Sequence, residues 1–385
     1  MSKKLKYGMV GGSLDAFIGE VHRKAAALDS KFSLVAGAFS SSPEKSKKTG
    51  EALVLDPSRV YGSYKEMIEK ESELPEDERI DVVSIVTPNH AHFEPAKLAL
   101  ENGFHVIMDK PITFNSQEAK ELKKIVDDSG RVLALTHTYT GYPMVKEAKE
   151  FVRQGKLGKL RKVYVEYPQG WLSMPLEEEG NKQASWRTDP ERSGAGGAIG
   201  DIGTHAANLA EYVTGLNITH ICADINTKVP GRKLDDDAAA LLKFEDGVTG
   251  VLMVSQIAAG EENDIKIRVY GEKAGVEWKQ SDQNTLLFKP LDSPAQVIRA
   301  GTGYLSDLAQ ENTRTPAGHP EGYLEAFANI YVAFHKAVID HQSGEYKSAD
   351  DYDFPNVIDG IRGMVFVDTM IESSKSETKW TPFKV

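Results

Sequence analysis

Apolar runs alternate with helical patterns from Leu5 to Leu135 in this chain of 385 residues. Leu5–Val10, Leu34–Phe39 and Asp81–Val86 each have the length and apolar character of a strand, and helical patterns follow the first and the third of them, at Phe17–Leu28 and near Pro95–Glu101. Such alternation is typical of βαβ units, whose parallel strands share one sheet. We therefore predict an α/β domain with a mostly parallel sheet over residues 1–136.

The pattern changes after Tyr139. Short strand patterns then follow one another through glycine turns, at Ala238–Phe244, Gly247–Gln256, Ile265–Tyr270, Gly275–Trp278 and Thr285–Phe288. Consecutive hairpins indicate an antiparallel sheet. Two long helical patterns, Tyr323–His341 and Asn356–Ser373, close the chain, and we expect them to cover that sheet. The prediction for residues 137–385 is an α+β domain with a large, mostly antiparallel open sheet.

Composition excludes several classes of partner. The net charge is −11 and no dense block of Lys and Arg occurs, which argues against nucleic acid or an anionic membrane as partner. No apolar run is long enough to span a bilayer, and no signal peptide follows the Lys3-Lys4 start, so we expect a cytoplasmic protein. A single cysteine, Cys222, cannot build a disulfide framework or a thiolate cluster, and the histidines show no metal-binding spacing. We therefore expect no metal.

A glycine-rich turn follows the first predicted strand. Gly11, Gly12 and Ser13 form the turn, and Phe17 and Ile18 begin the next helix. Glycines at this place let the backbone approach a pyrophosphate that binds at the helix N-terminus. The spacing is not a regular G-x-G-x-x-G, so a plain turn is the alternative. Asp15 would repel a pyrophosphate unless its side chain turned outward.

The end of the second predicted strand bears on the choice between NAD and NADP. An acidic residue there binds the ribose 2′-hydroxyl and repels a 2′-phosphate. This chain has Ser40 and Ser41 at the strand tip, with Lys45 shortly after them. Serine hydroxyls and a lysine accept either cofactor, so the sequence predicts NAD or NADP and leaves the choice open.

Three ionisable residues point to one active site. A strand pattern, His105–Met108, runs directly into Lys110, and a lysine at the carboxyl end of such a strand faces the crevice where ligands bind. Asp201 and His205 follow a glycine-rich stretch and share one face of a helix that begins near Gly200. The alternatives are an exposed lysine, a core histidine and an aspartate that only caps its helix.

These motifs resemble those of the glucose–fructose oxidoreductase / inositol dehydrogenase / rhizopine-catabolism family over essentially the whole chain. The resemblance includes Thr87-Pro88-Asn89 followed by His92, and Asp201 to His205 match the family's Asp-x-Gly-x-His unchanged. Asp109-Lys110-Pro111 stands where the family usually has Glu-Lys-Pro. Asn208 replaces an acidic residue that is common there.

The resemblance implies a Rossmann domain that binds NAD or NADP. The resemblance implies that the cofactor is bound by the glycine turn, by the tip of the second strand and by six further residues, namely Thr87, Pro88, Asn89, His92, Asp109 and Lys110. For His92 the alternative is an ordinary polar residue at a helix start.

The activity that the resemblance implies is a nicotinamide-dependent dehydrogenase acting on a secondary alcohol of a sugar, cyclitol or related polyol. His205 would take the hydroxyl proton, Lys110 would stabilise the developing alkoxide, and Asp201 would orient the substrate or the imidazole. Two alternatives stay open. One is an NAD-dependent glycosidase that acts through transient oxidation, and the other is a catalytically silent cofactor or sugar sensor.

Aromatic and basic residues near the predicted site are candidates for substrate binding. His137 and Tyr139 follow the last strand of the first domain, and Trp171, Trp186 and Arg187 lie in the loop before Asp201. Aromatic faces and a guanidinium suit sugar rings and hydroxyl groups. The alternative is that the tryptophans only pack this loop.

Two further expectations concern the second domain. The run Asp235-Asp236-Asp237 is expected to be a solvated strand start. An open sheet needs its exposed face covered, so we expect a homodimer or homotetramer.

Overall fold

The computed structural model describes residues 3–385, and the chain divides into two compact units. The first unit comprises Met1–Thr138 and Phe327–Ile361, and the second comprises Tyr139–Ala326 and Arg362–Val385. Residues 327–361 thus belong to the first unit, whereas the sequence analysis placed them in the second domain.

Aromatic packing explains this assignment. The Phe327 ring lies 4.7 Å from that of His22, and the Tyr331 ring lies 5.3 Å from that of Phe32, in both cases edge to face. Phe334 stacks on Phe32 at 6.4 Å. Such pairs add to the burial of apolar area and bind this helical segment to the first unit.

The first unit contains a five-stranded parallel sheet in the order β2-β1-β3-β4-β5. Its strands are β1 (Leu5–Gly11), β2 (Phe32–Ala38), β3 (Val82–Val86), β4 (His105–Met108) and β5 (Leu133–Leu135). Its helices are α1 (Phe17–Leu28), α2 (Pro43–Ala52), α3 (Tyr64–Ser72), α4 (Phe93–Glu101) and α5 (Ser116–Ser129). The strand order reverses between β1 and β3, and ligands of such sheets bind outside the carboxyl ends of the strands at this point.

The second unit contains a nine-stranded sheet in the order β13-β12-β11-β10-β6-β9-β8-β7-β14. Its strands are β6 (Leu160–Pro168), β7 (Ile218–Asn226), β8 (Asp237–Phe244), β9 (Thr249–Ser255), β10 (Lys266–Gly271), β11 (Ala274–Lys279), β12 (Thr285–Pro290), β13 (Gln296–Arg299) and β14 (Thr381–Pro382). Its shorter helices are α6 (Pro143–Arg153), α7 (Lys182–Arg187), α8 (Pro190–Ser193), α9 (Thr204–Thr214) and α10 (Asp307–Glu311). The predicted fold class, an α/β domain followed by a mostly antiparallel sheet, is confirmed.

One strand pairing differs from a simple series of hairpins. β9 and β10 are consecutive in the chain, but β6 lies between them, parallel to β9 and antiparallel to β10. Helices α6 and α9 pack on one face of this sheet. The strands alternate buried and exposed residues, and Leu241 on β8 and Met253 on β9 remain 43% and 46% exposed.

The two closing helices are α11 (Tyr323–Ser343) and α12 (Val357–Lys375), and both are divided between the units. The expectation that both cover the antiparallel sheet is wrong. α12 contributes Phe366, Val367 and Met370 to the core of the second unit, whereas most of α11 belongs to the first. Within residues 3–385, every helix is too short or too polar to cross a membrane.

Candidate active site

The turn after β1 has a backbone that favours glycine. Gly11 and Gly12 have φ angles of +81° and +73°. A Cβ atom on Gly19 would lie 2.3 Å from the Cα atom of Gly12, so α1 packs directly on the turn. Ala16 precedes α1 and provides no side-chain cap for its first N–H groups. This arrangement fits a dinucleotide pyrophosphate, with Phe17 exposed and Ile18 half-buried at the helix start.

The Asp15 carboxylate is linked both to α2 and to the glycine turn. Its Oδ2 atom accepts a hydrogen bond from the Lys45 ammonium at 2.7 Å, and its Oδ1 atom accepts one from the buried Ser13 hydroxyl at 2.6 Å. At the tip of β2, Ser40 Oγ accepts from a backbone N–H at 3.2 Å, and Ser41 is exposed. An ion pair therefore joins Asp15, which was not predicted to bind the cofactor, to Lys45, which was.

Lys110 lies in the turn that follows the carboxyl end of β4. The carboxylate of Asp109 accepts hydrogen bonds from the Lys110 backbone at 2.9 Å and from the Thr136 hydroxyl at 3.0 Å. Burial lowers the pKa of His137 to about 3, and the positive charge of Lys110 adds to this effect. His137 is therefore a neutral, buried neighbour of the lysine.

His92 connects two turns at the edge of the first sheet. Its Nδ1 atom lies 2.6 Å from the carbonyl oxygen of Pro111, and its Nε2 atom lies 2.8 Å from that of Thr87. The Thr87 hydroxyl donates to a backbone carbonyl at 2.8 Å, and Asn89 is buried directly after Pro88. Both His92 nitrogens face protein carbonyls, which favours a positioning role for His92 over direct contact with a cofactor.

The helix that carries Asp201 and His205 begins with a π-helical turn, Ile199–Gly203, and continues as α9. The sequence analysis expected the helix to begin near Gly200, and the structure starts it one residue earlier. Asp201 and His205 lie on this turn and on the first turn of α9, four residues apart.

Asp235 anchors the start of this helix from the chain segment before β8. Its carboxylate accepts hydrogen bonds from the backbone N–H groups of Gly197 at 2.6 Å and Ile199 at 2.8 Å, and its carbonyl oxygen accepts from Ala198. A Cβ atom on Gly197 would lie 2.1 Å from that carbonyl oxygen, so only glycine fits. Burial raises the pKa of Asp235 to about 6, although the two N–H bonds oppose this shift.

The expectation of a solvated aspartate run is wrong for its first two members. Asp235 is 8% exposed and Asp236 is 1% exposed. Asp236 accepts hydrogen bonds from the backbone of Lys228 and Val229 and pairs with Arg232 at 3.3 Å. These carboxylates hold the loops beside the Asp201 helix in place. A run of acids in the sequence does not show that they will be buried and hydrogen-bonded to the backbone.

Asp201 is fixed by two donors from other segments of the second unit. Its Oδ2 atom accepts from the Gln256 amide at 2.9 Å and from Arg187 Nε at 3.2 Å. The Arg187 guanidinium lies 4.2 Å from the centre of the Trp186 ring and 5.9 Å from that of Trp171. Sequence reasoning grouped these residues as substrate candidates, and the structure brings Trp171, Trp186 and Arg187 together around Asp201.

His205 lies against a buried tyrosine pair. The Tyr139 ring meets the imidazole edge to face at a centroid distance of 4.9 Å, and the Tyr167 ring lies at 6.5 Å. The two tyrosine hydroxyls are hydrogen-bonded to each other, and both bond to Asn263. Burial raises the pKa of Tyr139 well above its usual value, and the neighbouring Tyr167 adds to the effect, so this phenol stays neutral.

Sequence reasoning missed the amides and the second tyrosine of this network, namely Tyr167, Gln169, Gln256 and Asn263. Gln169 bonds to Asn263, to the Trp171 indole N–H at 3.0 Å and to Gln256. Gln169 and Gln256 directly follow β6 and β9, whose parallel pairing brings the two amides side by side. The sequence does show a glutamine directly after each of two apolar strands. Only the unexpected pairing of those strands brings the two glutamines together.

Known proteins match both units. Residues 5–137 match the family profile described as an oxidoreductase family with an NAD-binding Rossmann fold, and residues 145–277 match that of the GFO/IDH/MocA C-terminal domain. An uncharacterized oxidoreductase of Bacillus subtilis is 33% identical over 100% of this chain and 98% of its own length. The chain belongs to the GFO/IDH/MocA family of oxidoreductases.

Other known proteins resemble the chain over its full length. An inositol dehydrogenase homolog from Azotobacter vinelandii, solved with NAD+, has a TM-score of 0.95 and 34% identity and covers 100% of this chain and 98% of that one. A structure described as the same homolog with NADH and myo-inositol has a TM-score of 0.93 and 33% identity over the same shares. Levoglucosan dehydrogenase from Pseudarthrobacter phenanthrenivorans is 27% identical over 98% of this chain and 97% of its own length.

Family membership confirms an oxidoreductase with a Rossmann domain for a nicotinamide cofactor. The turn geometry of Gly11 and Gly12 and the close approach of Gly19 agree with that cofactor class. In the described part of the chain, residues 3–385, no group of three or more His, Cys, Asp or Glu side chains is arranged to hold a metal ion.

Proposed function

We propose that the protein oxidises a secondary alcohol of a sugar, cyclitol or related polyol. The observation that carries this proposal is the helix start at which Asp201 and His205 lie four residues apart. The Asp201 carboxylate accepts hydrogen bonds from Arg187 and Gln256, and the His205 imidazole packs on Tyr139. When bound, the nicotinamide would accept the hydride of the carbinol carbon. The protein must then remove a proton and stabilise the alkoxide.

His205 is the proposed base. An imidazole exchanges protons near neutral pH, which suits the removal of a hydroxyl proton. The ring rests edge to face on Tyr139, a contact that fixes its plane. Asp201 is held by two donors on one oxygen and would orient a substrate hydroxyl or the imidazole.

Lys110 is proposed to act in the same reaction by donating a hydrogen bond to the substrate oxygen as negative charge develops on it. Its backbone is held by Asp109, which is itself fixed by Thr136. An ammonium placed at a developing alkoxide stabilises the transition state more than the neutral alcohol.

A cyclic, neutral, hydroxylated substrate is supported by the residues near Asp201. Trp171 and Trp186 offer aromatic surface, and the buried amides of Gln169 and Gln256 supply hydrogen-bonding groups without net charge. Relatives named for inositol and levoglucosan point to the same chemical class.

The proposal is tested by a screen of sugars and cyclitols with NAD+ and NADP+ in parallel, followed by absorbance of the reduced nicotinamide. At least one cyclic polyol or sugar should support reduction, and His205→Asn should abolish most of it. If glycosides were cleaved with no net reduced nicotinamide, the protein would be a glycosidase that acts through transient oxidation. If the cofactor bound and no substrate reacted, the sensor alternative would replace the proposal.

We also propose that the protein is a homodimer or homotetramer assembled through the exposed face of the antiparallel sheet. Leu241 and Met253 lie on neighbouring strands of that face. Exposed apolar side chains on a sheet are a common basis for association. Sedimentation of wild type and Leu241→Glu should show an oligomer that dissociates in the variant, whereas a monomeric wild type would contradict this proposal.

A further inference from the structure

The tip of β2 lacks a carboxylate for an adenosine ribose. Phe39 is followed by three serines and Pro43, and Ser42 caps α2 by accepting from the Lys45 N–H. In dinucleotide-binding sheets an acid at this strand end binds the ribose 2′-hydroxyl and excludes a 2′-phosphate. The serines offer neutral hydroxyls only, so neither cofactor is excluded by the strand itself.

Asp15, which follows the glycine turn, is linked to α2, the helix that begins directly after the serine tip. Asp15 Oδ2 accepts a hydrogen bond at 2.7 Å from the ammonium of Lys45, a residue on the first turn of α2. The second oxygen of Asp15 is held by the Ser13 hydroxyl at 2.6 Å. Both oxygens are therefore fixed, and the negative charge lies beside the start of α2.

The Lys45 ammonium is the cation that would otherwise attract a 2′-phosphate, and in the ion pair its charge is compensated by Asp15. Lys45 is the lysine nearest in sequence to the serine tip, and its ammonium is already bonded to Asp15. The pair is about half exposed, at 42% for the lysine and 49% for the aspartate, so solvent and cofactor can both reach it.

We infer that Asp15 supplies from the glycine turn the carboxylate that strand two lacks, and that the Asp15–Lys45 pair makes NAD the preferred cofactor. The inference rests on the proposed function and adds to it the choice between NAD and NADP. With Asp15 in place, a 2′-phosphate meets a carboxylate and a lysine whose charge is compensated. Without Asp15, the lysine is released to attract the phosphate.

The test is equilibrium binding of NAD+ and NADP+ to the full-length protein by calorimetry, with no sugar present. Wild type should bind NAD+ more tightly than NADP+, and Asp15→Asn should shift the ratio of the two dissociation constants toward NADP+ by about tenfold or more. Asp15→Asn combined with Lys45→Met should lose most of that gain, because the released cation is then absent. Ser40→Asp in the Asp15→Asn background should restore the preference for NAD+.

Two variants with the same charge change serve as controls. Glu44→Gln removes a carboxylate next to Lys45 on the first turn of α2, and Asp127→Asn removes one that pairs with Lys123 on α5. Neither should change the ratio, since neither carboxylate is bonded to Lys45 in the structure.

Four results would overturn the inference. They are a wild type that binds NADP+ at least as tightly as NAD+, an Asp15→Asn variant with an unchanged ratio, an equal gain for both cofactors, or a shift as large in Glu44→Gln. An equal gain would mean that Asp15 only repels the pyrophosphate. Because no sugar is present, a failed substrate screen would leave these measurements intact, and the two proposals can fail separately.

Discussion

Replacing Asp235 with asparagine tests whether a buried carboxylate holds the Asp201 helix in place. Asp235 accepts two backbone N–H groups, from Gly197 and Ile199, whereas an asparagine has one acceptor oxygen. Hydrogen bonds to charged groups contribute about 1.5–3 kcal/mol each. The variant should therefore lose a bond at the helix start, and its turnover should fall because Asp201 and His205 are displaced.

The effect on stability depends on pH. Burial raises the folded-state pKa of Asp235 from its usual 3.8 to about 6, so the folded protein binds this proton more tightly than the unfolded chain. The resulting stabilisation is present below about pH 4 and is lost as the pH rises through about 6. The shift corresponds to about 3 kcal/mol of unfolding free energy. Asparagine does not titrate, so the variant lacks this dependence.

The assay is urea unfolding followed by tryptophan fluorescence at a series of pH values. The four tryptophans of the chain, at 171, 186, 278 and 380, all belong to the second unit, as does Asp235. The unfolding free energy of wild type minus that of Asp235→Asn should fall by up to about 3 kcal/mol between about pH 4 and about pH 7. Asp224→Asn, on the exposed part of β7, is the matched control. Parallel profiles for wild type and Asp235→Asn would refute the reasoning.

Three further predictions concern single side chains. Lys110→Met should lower turnover on the order of a hundredfold or more and leave NADH binding nearly unchanged in a fluorescence titration, while near wild-type turnover would remove Lys110 from the reaction. Gly197→Ala should destabilise the second unit by about 1–3 kcal/mol in urea unfolding, whereas Gly200→Ala, with nothing within 4 Å of its added Cβ, should not; equal effects would contradict the close approach to Asp235. Gln256→Leu should lower kcat/KM by removing a donor to Asp201, and unchanged kinetics would show that Asp201 keeps its position without this donor.

The fold of the first unit could be predicted from the sequence because its strands are short apolar runs. The predicted helix Phe17–Leu28 and the predicted strand His105–Met108 match the observed elements. Helices α2 and α3 were missed because their sequences are strongly polar and show little apolar periodicity. In the second unit, β6 lies between β9 and β10, a long-range pairing that local pattern does not encode.

The candidate site was predictable where one short segment carries two of its residues. Asp201 and His205 are close in sequence, so helical spacing alone places them together. Their supports come from distant segments, as with Gln256 for Asp201, Tyr167 beside His205 and Asp235 for the helix start. Buried acids were taken as solvated because sequence shows a run of charge but not the N–H groups that stabilise it.

We propose that the protein oxidises a hydroxyl group with net transfer of electrons to the nicotinamide. The most direct measurement is the amount of ketone and of reduced nicotinamide formed from the best substrate of the screen, in wild type and in His205→Asn. Wild type should form equal molar amounts of the two products, and the variant should form much less of both. Cleavage of a glycoside at constant reduced nicotinamide, or an unchanged yield in His205→Asn, would contradict this proposal.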